Sequence, residues 1–403
     1  MISNVTPAVP SLIRELNERR VLETLRRNGG LHAAEVARHI GLSRPTTAEI
    51  LRSLIETGLI QEYTPGAEDP KRARSVFEAV SDLKVSLGID IGSRFIRAAV
   101  GDLNEKMLAQ ISVPVKSLKL KDLLSVIHAA VNQALKDSGY SLKDVASIVV
   151  GTPGVIDQNT GVVSIAGTIS SLDGVNLTEL IKSEFGITPT VENDINLVTV
   201  AEQTAGHGKD VKNFAVLSVG SGLGSGLVLD GKIHRGHRGA AGEIFYIPFG
   251  DPLDTHRDAT NPSGDRVAVI ARSLAKKYKD SVLAEPYSTV DILKAAKDGD
   301  GLAKEVIHIE AERIALYIAA ISAVTDVELV VLSGGIGRQA TFFIEPIMKL
   351  VSSIVPFPPS IEVSTLGDTG ILVGALSIAT YTSREIVFQE MHKSSGRPLA
   401  ESM

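Results

Sequence analysis

The sequence contains no cysteine among its 403 residues. Disulfide bonds and thiolate metal sites are therefore excluded, and the composition fits a reducing compartment. The first residues, MISNVTPAVP, lack the basic and then apolar order of a signal peptide, so we expect a cytoplasmic protein. The longest strongly apolar run without charge, Ile314–Val324, is far shorter than a membrane span. We therefore expect no membrane insertion. Segments of low complexity are also lacking.

The net charge of −6 is unevenly distributed along the chain. Residues 1–80 hold 11 Lys and Arg against 10 Asp and Glu, hence +1, which leaves −7 for the remainder. A globally acidic chain argues against indiscriminate nucleic-acid binding, but it allows one small DNA-binding module on an acidic body. A chain of 403 residues is also too long for one ordinary core, so two or three domains are expected.

Residues 1–82 show the pattern of a winged helix-turn-helix domain. Apolar periodicity predicts helices over Ser11–Asn28 and Ala33–Ile40, and then a third helix over Ser43–Thr57 with Ser43 as its N-cap. The segments LIQEY and SVFEAV predict two strands around the polar loop PGAEDPKRAR. Two short helices joined by a glycine-containing turn are typical of the helix-turn-helix motif.

The third helix predicts a DNA-binding face. Its apolar residues, with Thr47, cluster on one side, whereas polar residues lie on the other side and at its start. Such polar residues fit the major groove, and a basic wing fits phosphates. The predicted DNA contacts are Ser43, Arg44, Thr46, Thr47, Glu49, Arg52, Lys71, Arg72 and Arg74. The alternative is a three-helix protein-interaction module with a solvated basic loop.

Beyond residue 84 the sequence alternates between strand and helix patterns, which predicts an α/β body. A strand, glycine turn and strand at 87–101 recur at 214–229, and this repetition indicates two similar lobes that meet at a cleft. The predicted divisions are a first lobe over 83–200 with a C-terminal helix over 370–385, a second, dimerising lobe over 201–369, and a tail over 386–403.

The stretch VGSGLGSGL at 219–227 places four glycines directly after an apolar run. Glycine lets the backbone approach phosphate closely, because it has no side chain and tolerates positive φ. Glycines are also needed simply to make a hairpin turn, and that need survives the loss of catalysis.

Six motifs in order give the chain a resemblance to the ROK family of repressors and sugar kinases, over about residues 12–380. The motifs are GIDIGS at 88–93, GTPGVID at 151–157, VENDINL at 191–197, VGSGLGSGLVLDGKIHRG at 219–236, GAAGE at 239–243 and VVLSGGIG at 330–337. The resemblance implies an actin-like, two-lobed ATPase fold behind the winged helix.

The resemblance also implies roles for named residues. In an active kinase Asp90 would bind Mg²⁺ through water, and Asp194 would be the general base, although its carboxylate also fits a helix N-cap. The implied nucleotide or phosphate loops are at Asp90, Gly92, Gly222, Gly224, Gly334 and Gly335. The implied effector contacts are Gly154, Thr168, Asn193, Asp194, Glu243 and Tyr246.

This sequence departs from the active kinases at four places. Arg94 stands where DIGGT has a small hydroxyl residue, Gly167-Thr168 replaces a sugar-contacting PN pair, and Phe245-Tyr246 replaces GH. The cysteine-rich zinc motif is replaced by GDPLDTHRDATNPSGD, and His234, His237 and His256 lack a tetrahedral spacing. We therefore expect no catalytic residue, with Asp194 a vestigial base, and no cofactor, metal or structural zinc.

These observations predict a transcriptional regulator whose degenerate kinase cleft senses a small metabolite, such as a sugar or sugar derivative. The expected partners are operator DNA with an inverted repeat, the effector, and further copies of the chain in a homodimer or tetramer. Two alternatives remain open. One is an active ATP-dependent sugar kinase fused to a DNA-binding domain, and the other is regulation by a sequestering protein partner.

Overall fold

A computed structural model describes residues 10–64, 75–220, 222–247, 249, 262, 264–339, 344–396 and 399. The first part is a winged helix. Its elements are α1 (Pro10–Asn28), β1 (Leu31–His32), α2 (Ala33–Ile40), α3 (Arg44–Glu56), β2 (Ile60–Tyr63) and β3 (Val76–Ala79). The antiparallel sheet has the order β1-β3-β2, so the predicted helices and two strands are present together with a two-residue strand that was not predicted. The wing residues Lys71, Arg72 and Arg74 lie outside the described residues.

The first lobe is built on a five-stranded sheet of order β10-β7-β4-β5-β6. Its strands are β4 (Val85–Ile91), β5 (Phe95–Gly101), β6 (Met107–Pro114), β7 (Val145–Thr152) and β10 (Thr190–Asn193). The helices α4 (Leu120–Ser138) and α5 (Leu177–Phe185) and the small hairpin of β8 (Val155–Ile156) and β9 (Val163–Ser164) complete it. Strands β4, β5 and β6 are antiparallel, whereas β7 and β10 continue in parallel from β4.

The second lobe repeats this topology, with the strand order β13-β12-β11-β14-β15. Its strands are β11 (Phe214–Val219), β12 (Leu223–Leu229), β13 (Lys232–Ile233), β14 (Leu329–Ser333) and β15 (Ser360–Val363). Its helices are α7 (Gly264–Leu274), α8 (Thr289–Lys297), α9 (Gly301–Thr325), α10 (Gly334–Gly337) and α11 (Ile344–Ile354). Again three strands are antiparallel and two continue in parallel. The repetition seen in the sequence is therefore a repeated fold.

Two helices, α6 (Asp194–Ala205) and α12 (Gly370–Ser394), cross closely against the first lobe. A Cβ atom at Gly374 would lie 1.9 Å from the carbonyl oxygen of Leu197, so only glycine permits this approach. Helix α12 also covers β4 and β7, and α6 reaches β11 and β12 of the second lobe. The pair therefore lies where the two lobes meet.

The predicted end of the C-terminal helix at residue 385 and the tail from 386 are wrong. Helix α12 continues to Ser394, because Val387, Phe388 and Met391 form an apolar stripe that packs into the core of the winged helix. Residues 367–394 have the length and mean hydropathy of a possible membrane helix. Half of the apolar stretch that gives this hydropathy is buried in the protein, as in a core helix.

Candidate functional site

A cleft of about 1270 Å³ separates the two lobes and is lined by both. Five of the six predicted effector residues line it, namely Gly154, Thr168, Asn193, Asp194 and Glu243. The prediction for Tyr246 does not agree with the structure. Tyr246 is not among the described lining residues; its side chain is exposed, and its ring packs edge to face on Phe245.

Asn193 sits at the junction of β10 and α6 and is the N-cap of the helix. Its Oδ1 accepts hydrogen bonds from the main-chain N–H groups of Ile195 and Asn196, at 2.9 and 3.2 Å. Its Nδ2 donates to the carbonyl oxygen of Gly154 at 2.9 Å. The capping role considered for Asp194 therefore belongs to Asn193, and Asp194 is the first residue of the helix.

Asp194 faces the cleft with an unusual proton affinity. Burial, the charge of Asp90 and the charge of Glu243 raise its pKa from 3.8 to about 7, against the opposing hydrogen bond from the main-chain N–H of Ile195. A carboxyl group with this pKa exchanges its proton near neutral pH, which is the property of a general base or of a hydrogen-bond donor to a ligand.

The turn that carries Asn193 and Asp194 is held by an ion pair that the sequence analysis missed. Nε of Arg235, from the second lobe, lies 2.6 Å from Oε2 of the buried Glu192 at the end of β10. The other carboxylate oxygen of Glu192 accepts from Nδ2 of Asn196 and from the main-chain N–H of Asn193, each at 2.9 Å. Both residues were inside recognised motifs, but nothing in their spacing indicated that they pair across the lobes.

Glu243 is placed against the cleft by the glycine before it. Gly242 has a φ of +91°, and a Cβ there would lie 1.8 Å from the carbonyl oxygen of Ser225 in β12. The main-chain N–H of Ser225 donates to the Gly242 carbonyl at 3.0 Å, so the loop is fastened to the sheet. Burial raises the pKa of Glu243. A half-buried carboxyl group in this position can accept or donate hydrogen bonds to ligand hydroxyl groups.

The predicted phosphate loops are only partly assembled around the cleft. Gly222, Gly224, Gly334 and Gly335 line it, whereas Asp90 and Gly92 are not among the described lining residues. Gly92 forms the tight turn between β4 and β5, where its N–H donates to the carbonyl oxygen of Phe95 at 3.1 Å. The glycine-rich stretch that follows β11 is a hairpin turn in which Gly220 N–H donates to Gly222 O at 2.9 Å.

Asp90, which would bind Mg²⁺ in an active kinase of the family, is already paired within the protein. Its Oδ2 accepts from Nη1 of Arg97 at 2.8 Å, and Arg97 is its partner across the β4–β5 ladder. Asp90 is only 2% exposed. Burial raises its pKa, against the opposing effect of Arg97. The guanidinium thus occupies the side of the carboxylate that a hydrated cation would need.

Two further arginines, Arg94 and Arg338, line the cleft itself. Arg338 pairs with Asp368 at the start of α12, and the charges of Arg338, Arg97 and Arg94 together lower the pKa of Asp368. The exposed Arg94 side chain makes no hydrogen bond or ion pair with the part of the chain that the structure describes. Positive charge therefore lines the same cleft as the glycine loops that the resemblance assigns to phosphate.

These contacts test whether the residues fit a magnesium nucleotide, and they do not. A magnesium ion at Asp90 would have to displace Arg97, whose guanidinium already pairs with the carboxylate and would repel the ion. Among the described residues, no group of three possible zinc ligands occurs. Residues 250–261, which include His256, lie outside the described residues, and their sequence contains no cysteine.

The DNA-binding prediction can be compared with the surface of α3. Ser43, Arg44, Thr46, Glu49 and Arg52 are all exposed on one face. Ser43 caps the helix, and its Oγ accepts from the main-chain N–H of Thr46 at 3.3 Å.

Two polar side chains of α3 are buried. Thr47 lies on the apolar side, as its helical angle indicated, and its hydroxyl donates to the carbonyl oxygen of Ser43 at 3.0 Å, so its assignment as a DNA contact is wrong. Ser53 lies at a helical angle of the polar side, but it is 2% exposed and donates to Glu18 at 2.7 Å. The helical angle of Ser53 suggested exposure, but α1 and α12 cover that side of α3, and only the tertiary structure shows this.

The arrangement defines a two-lobed α/β protein with an N-terminal winged helix of the DNA-binding type. The ROK family model matches residues 86–381, and a winged helix-turn-helix DNA-binding model matches residues 14–61. The chain belongs to the ROK family, as the sequence motifs indicated.

Both transcriptional repressors and sugar kinases resemble this chain. The xylose repressor of Caldicellulosiruptor bescii is 24% identical over 390 residues, which cover 91% of this chain and 96% of the repressor. A solved ROK family transcriptional regulator, a homologue of the E. coli MLC protein, is 22% identical with a TM-score of 0.77 and covers 94% of this chain and 99% of its own. The ROK glucokinase of Streptomyces griseus, solved with glucose and AMPPNP, is 22% identical with a TM-score of 0.64 and covers 74% and 99%. The predicted fold, a winged helix with an actin-like sugar-kinase-type body, is confirmed.

Proposed function

We propose that this protein is a transcriptional regulator that binds operator DNA through α3 and releases or retains it according to the occupancy of the interlobe cleft. The observation that carries the proposal is the continuity of α12. Its first turn follows Asp368 at the cleft, and its last turns complete the core of the winged helix. One rigid element thus joins the ligand site to the DNA-binding domain.

The contacts suggest how a ligand would act. The winged helix shares a core with α12 and with Leu103 of the first lobe, and Nε of Arg384 in α12 donates to the carbonyl oxygen of Leu103 at 2.7 Å. A ligand that touches both lobes favours their closed arrangement by its differential affinity. If two copies associate through the second lobe, closure changes the separation of their winged helices. Half-site spacing on DNA is fixed, so operator affinity changes with it.

The effector that we propose is a sugar or sugar derivative, and the protein a cytoplasmic homodimer or tetramer on an inverted repeat. Asn193, Asp194 and Glu243 supply amide and carboxyl groups at one part of the cleft, which suits several hydroxyl groups of one ligand. The xylose repressor and the glucokinase bound to glucose are relatives whose names involve sugars.

The experiment is operator binding by fluorescence anisotropy, with and without a panel of sugars, for the parent, Glu243→Ala and Lys121→Ser. Lys121 is exposed on α4, outside the cleft, and serves as the control. Glu243→Ala should bind operator like the parent but lose the response to the sugar that moves the parent. If Glu243→Ala responds at the parent's sugar concentration, the sensing site lies elsewhere.

We further propose that the protein is not an enzyme. The Arg97–Asp90 pair and the side chain of Arg94 oppose metal-bound nucleotide at the cleft. A second candidate, sugar phosphorylation, is favoured by one observation, the pKa of about 7 at Asp194, which suits a general base. A coupled assay with MgATP and the sugar that binds should show no turnover. Turnover of about 1 s⁻¹ or more, as in working kinases, would establish the second candidate.

A further inference from the structure

Beside the glycines that line the cleft, one positive charge has no carboxylate partner in the part of the chain that the structure describes, and the family resemblance does not explain it. Three guanidinium groups, Arg94, Arg97 and Arg338, act on Asp368. They face two carboxylates, because Arg97 pairs with Asp90 and Arg338 pairs with Asp368. One guanidinium, that of Arg94, is left without a partner among the described residues.

The Arg94 side chain is accessible to a ligand in the cleft. Arg94 is exposed and lines the cleft together with Gly220, Gly222 and Gly335, which have no side chains. A guanidinium group presents several N–H donors in one plane and binds phosphate or carboxylate oxygens in a bidentate manner. It does so without a metal ion, and Arg97 already neutralises the carboxylate that would otherwise repel an anion.

The remainder of the cleft suits a different part of the same ligand. Asn193, Asp194 and Glu243 line it as well and offer hydrogen bonds to hydroxyl groups. The volume of about 1270 Å³ exceeds the range of roughly 300–1,000 Å³ that small-molecule sites usually have, so one sugar ring does not fill it.

We infer that Arg94 forms an oxyanion subsite that works without a metal ion, and that the effector carries, or binds together with, a phosphate or carboxylate group. Only the regulatory role of the ligand, which makes it an effector, rests on the proposed function. The subsite itself is defined by Arg94. Arg94, which disfavours a magnesium nucleotide, would then be a specific contact for another ligand.

The test is isothermal titration of the full-length protein at constant ionic strength in EDTA, with inorganic phosphate, glucose, glucose 6-phosphate and gluconate as probes. Inorganic phosphate should bind the parent without Mg²⁺. Arg94→Ser, which introduces the small hydroxyl side chain typical of the kinases, should weaken phosphate binding about tenfold to a hundredfold. Arg94→Lys should retain part of the affinity, because the charge remains without the bidentate geometry.

The control Lys121→Ser removes one exposed positive charge outside the cleft and should leave phosphate binding unchanged. A sugar phosphate or sugar acid that binds more tightly than phosphate and glucose places the anion on the effector. If inorganic phosphate and glucose 6-phosphate bind with equal affinity, the effector binds together with a free oxyanion rather than carrying one. Equal phosphate affinity in Arg94→Ser and the parent, a requirement for Mg²⁺, or no binding of any anionic probe would overturn the inference.

Operator binding, measured on the same samples, separates this inference from the proposed function. If a neutral sugar releases the operator and no anion binds, the proposed function is supported and the oxyanion subsite is refuted. If phosphate binds through Arg94 but the protein binds no operator, the oxyanion subsite is supported and the proposed function is refuted.

Discussion

Nε2 of His392, in the last turns of α12, lies 2.9 Å from Oε2 of Glu18 in α1. Both side chains are buried, and Oε1 of Glu18 accepts from the hydroxyl of Ser53 on α3 at 2.7 Å. Burial raises the pKa of Glu18, but the hydrogen bonds from His392 and Ser53 outweigh it and leave that pKa lowered. The orientation of α3 is therefore fixed through Glu18 by the helix that begins at the cleft.

Phe388 offers a direct test of this connection. Its buried ring stacks on His392 with the centroids 4.2 Å apart, and the guanidinium of Arg19 lies 4.1 Å from its centroid. Phe388→Ala should cost about 3–5 kcal/mol at the joint and weaken operator binding, while sugar binding in the cleft is kept. Fluorescence anisotropy measures operator binding, and calorimetry measures sugar binding. Tyr381→Ala, on an exposed position of the same helix, is the control, and equal losses in the two variants would refute the connection.

The exposed and buried side chains of α3 should behave differently on DNA. Arg44→Ala removes an exposed donor at the start of the helix and should relax base preference, with a loss of about 1–3 kcal/mol on the best operator. Thr47→Ala removes a buried side chain and should lower the melting temperature without changing base preference. Binding to a library of operator variants distinguishes them. A changed base preference in Thr47→Ala would contradict this assignment.

The ion pair between Arg235 and Glu192 should stabilise the turn that carries the cleft residues. Arg235→Ala leaves the Glu192 carboxylate, 2% exposed, without its cation and should destabilise the protein by about 2 kcal/mol, a discounted value because Arg235 is 35% exposed. Arg238→Ala, at a neighbouring exposed position, should have no such effect. Urea unfolding of both variants measures the difference. Equal stabilities would mean that the pair contributes nothing.

The raised pKa of Asp194 predicts a pH-dependent stability. Between about pH 4 and pH 7 its carboxyl is protonated in the folded protein and ionised in the unfolded chain, so the unfolded state binds fewer protons. Its contribution to stability therefore falls as the pH rises through this window. Asp194→Asn should be more stable than the parent by on the order of 1–2 kcal/mol at pH 8 and by much less at pH 4.5.

Thermal unfolding at the two pH values is the measurement for Asp194→Asn. Asp157 gives the opposite case, because the main-chain N–H groups of Asn159 and Thr160 lower its pKa. Asp157→Asn should be less stable than the parent by the same amount at both pH values, since the parent's carboxylate is ionised and stabilised at both, and the difference should shrink only below about pH 4. A stability difference between Asp194→Asn and the parent that also stays constant between the two pH values would show that the pKa of Asp194 is not raised.

Local patterns in the sequence were sufficient for the helix-turn-helix, the repeated sheets and most of the cleft. Ser43 as an N-cap and the β11–β12 hairpin follow from short-range chemistry, and they agree with the structure. The pairing of Asp90 with Arg97 could not be predicted, because the two residues meet across a strand pair and the register of a hairpin is not written in the motif.

The continuation of α12 was missed for a related reason. Polar residues such as Arg384 and Glu385 resemble a helix end, but they pair with Glu105 and Arg19 from distant parts of the chain. Their partners appear only when the winged helix and the first lobe are brought together. Side chains that act between domains are the ones that single-sequence patterns leave unassigned.

The shared core of the winged helix and α12 has a consequence for synthesis on the ribosome. Val21 and Leu54 emerge early, whereas Val387 and Phe388, which complete the same core, are translated only after both lobes. At about 5–20 residues per second, the interval is roughly 20 to 70 s. The DNA-binding surface therefore reaches its final setting only after the body that controls it has been made, and a nascent chain that lacks the sensor cannot present it.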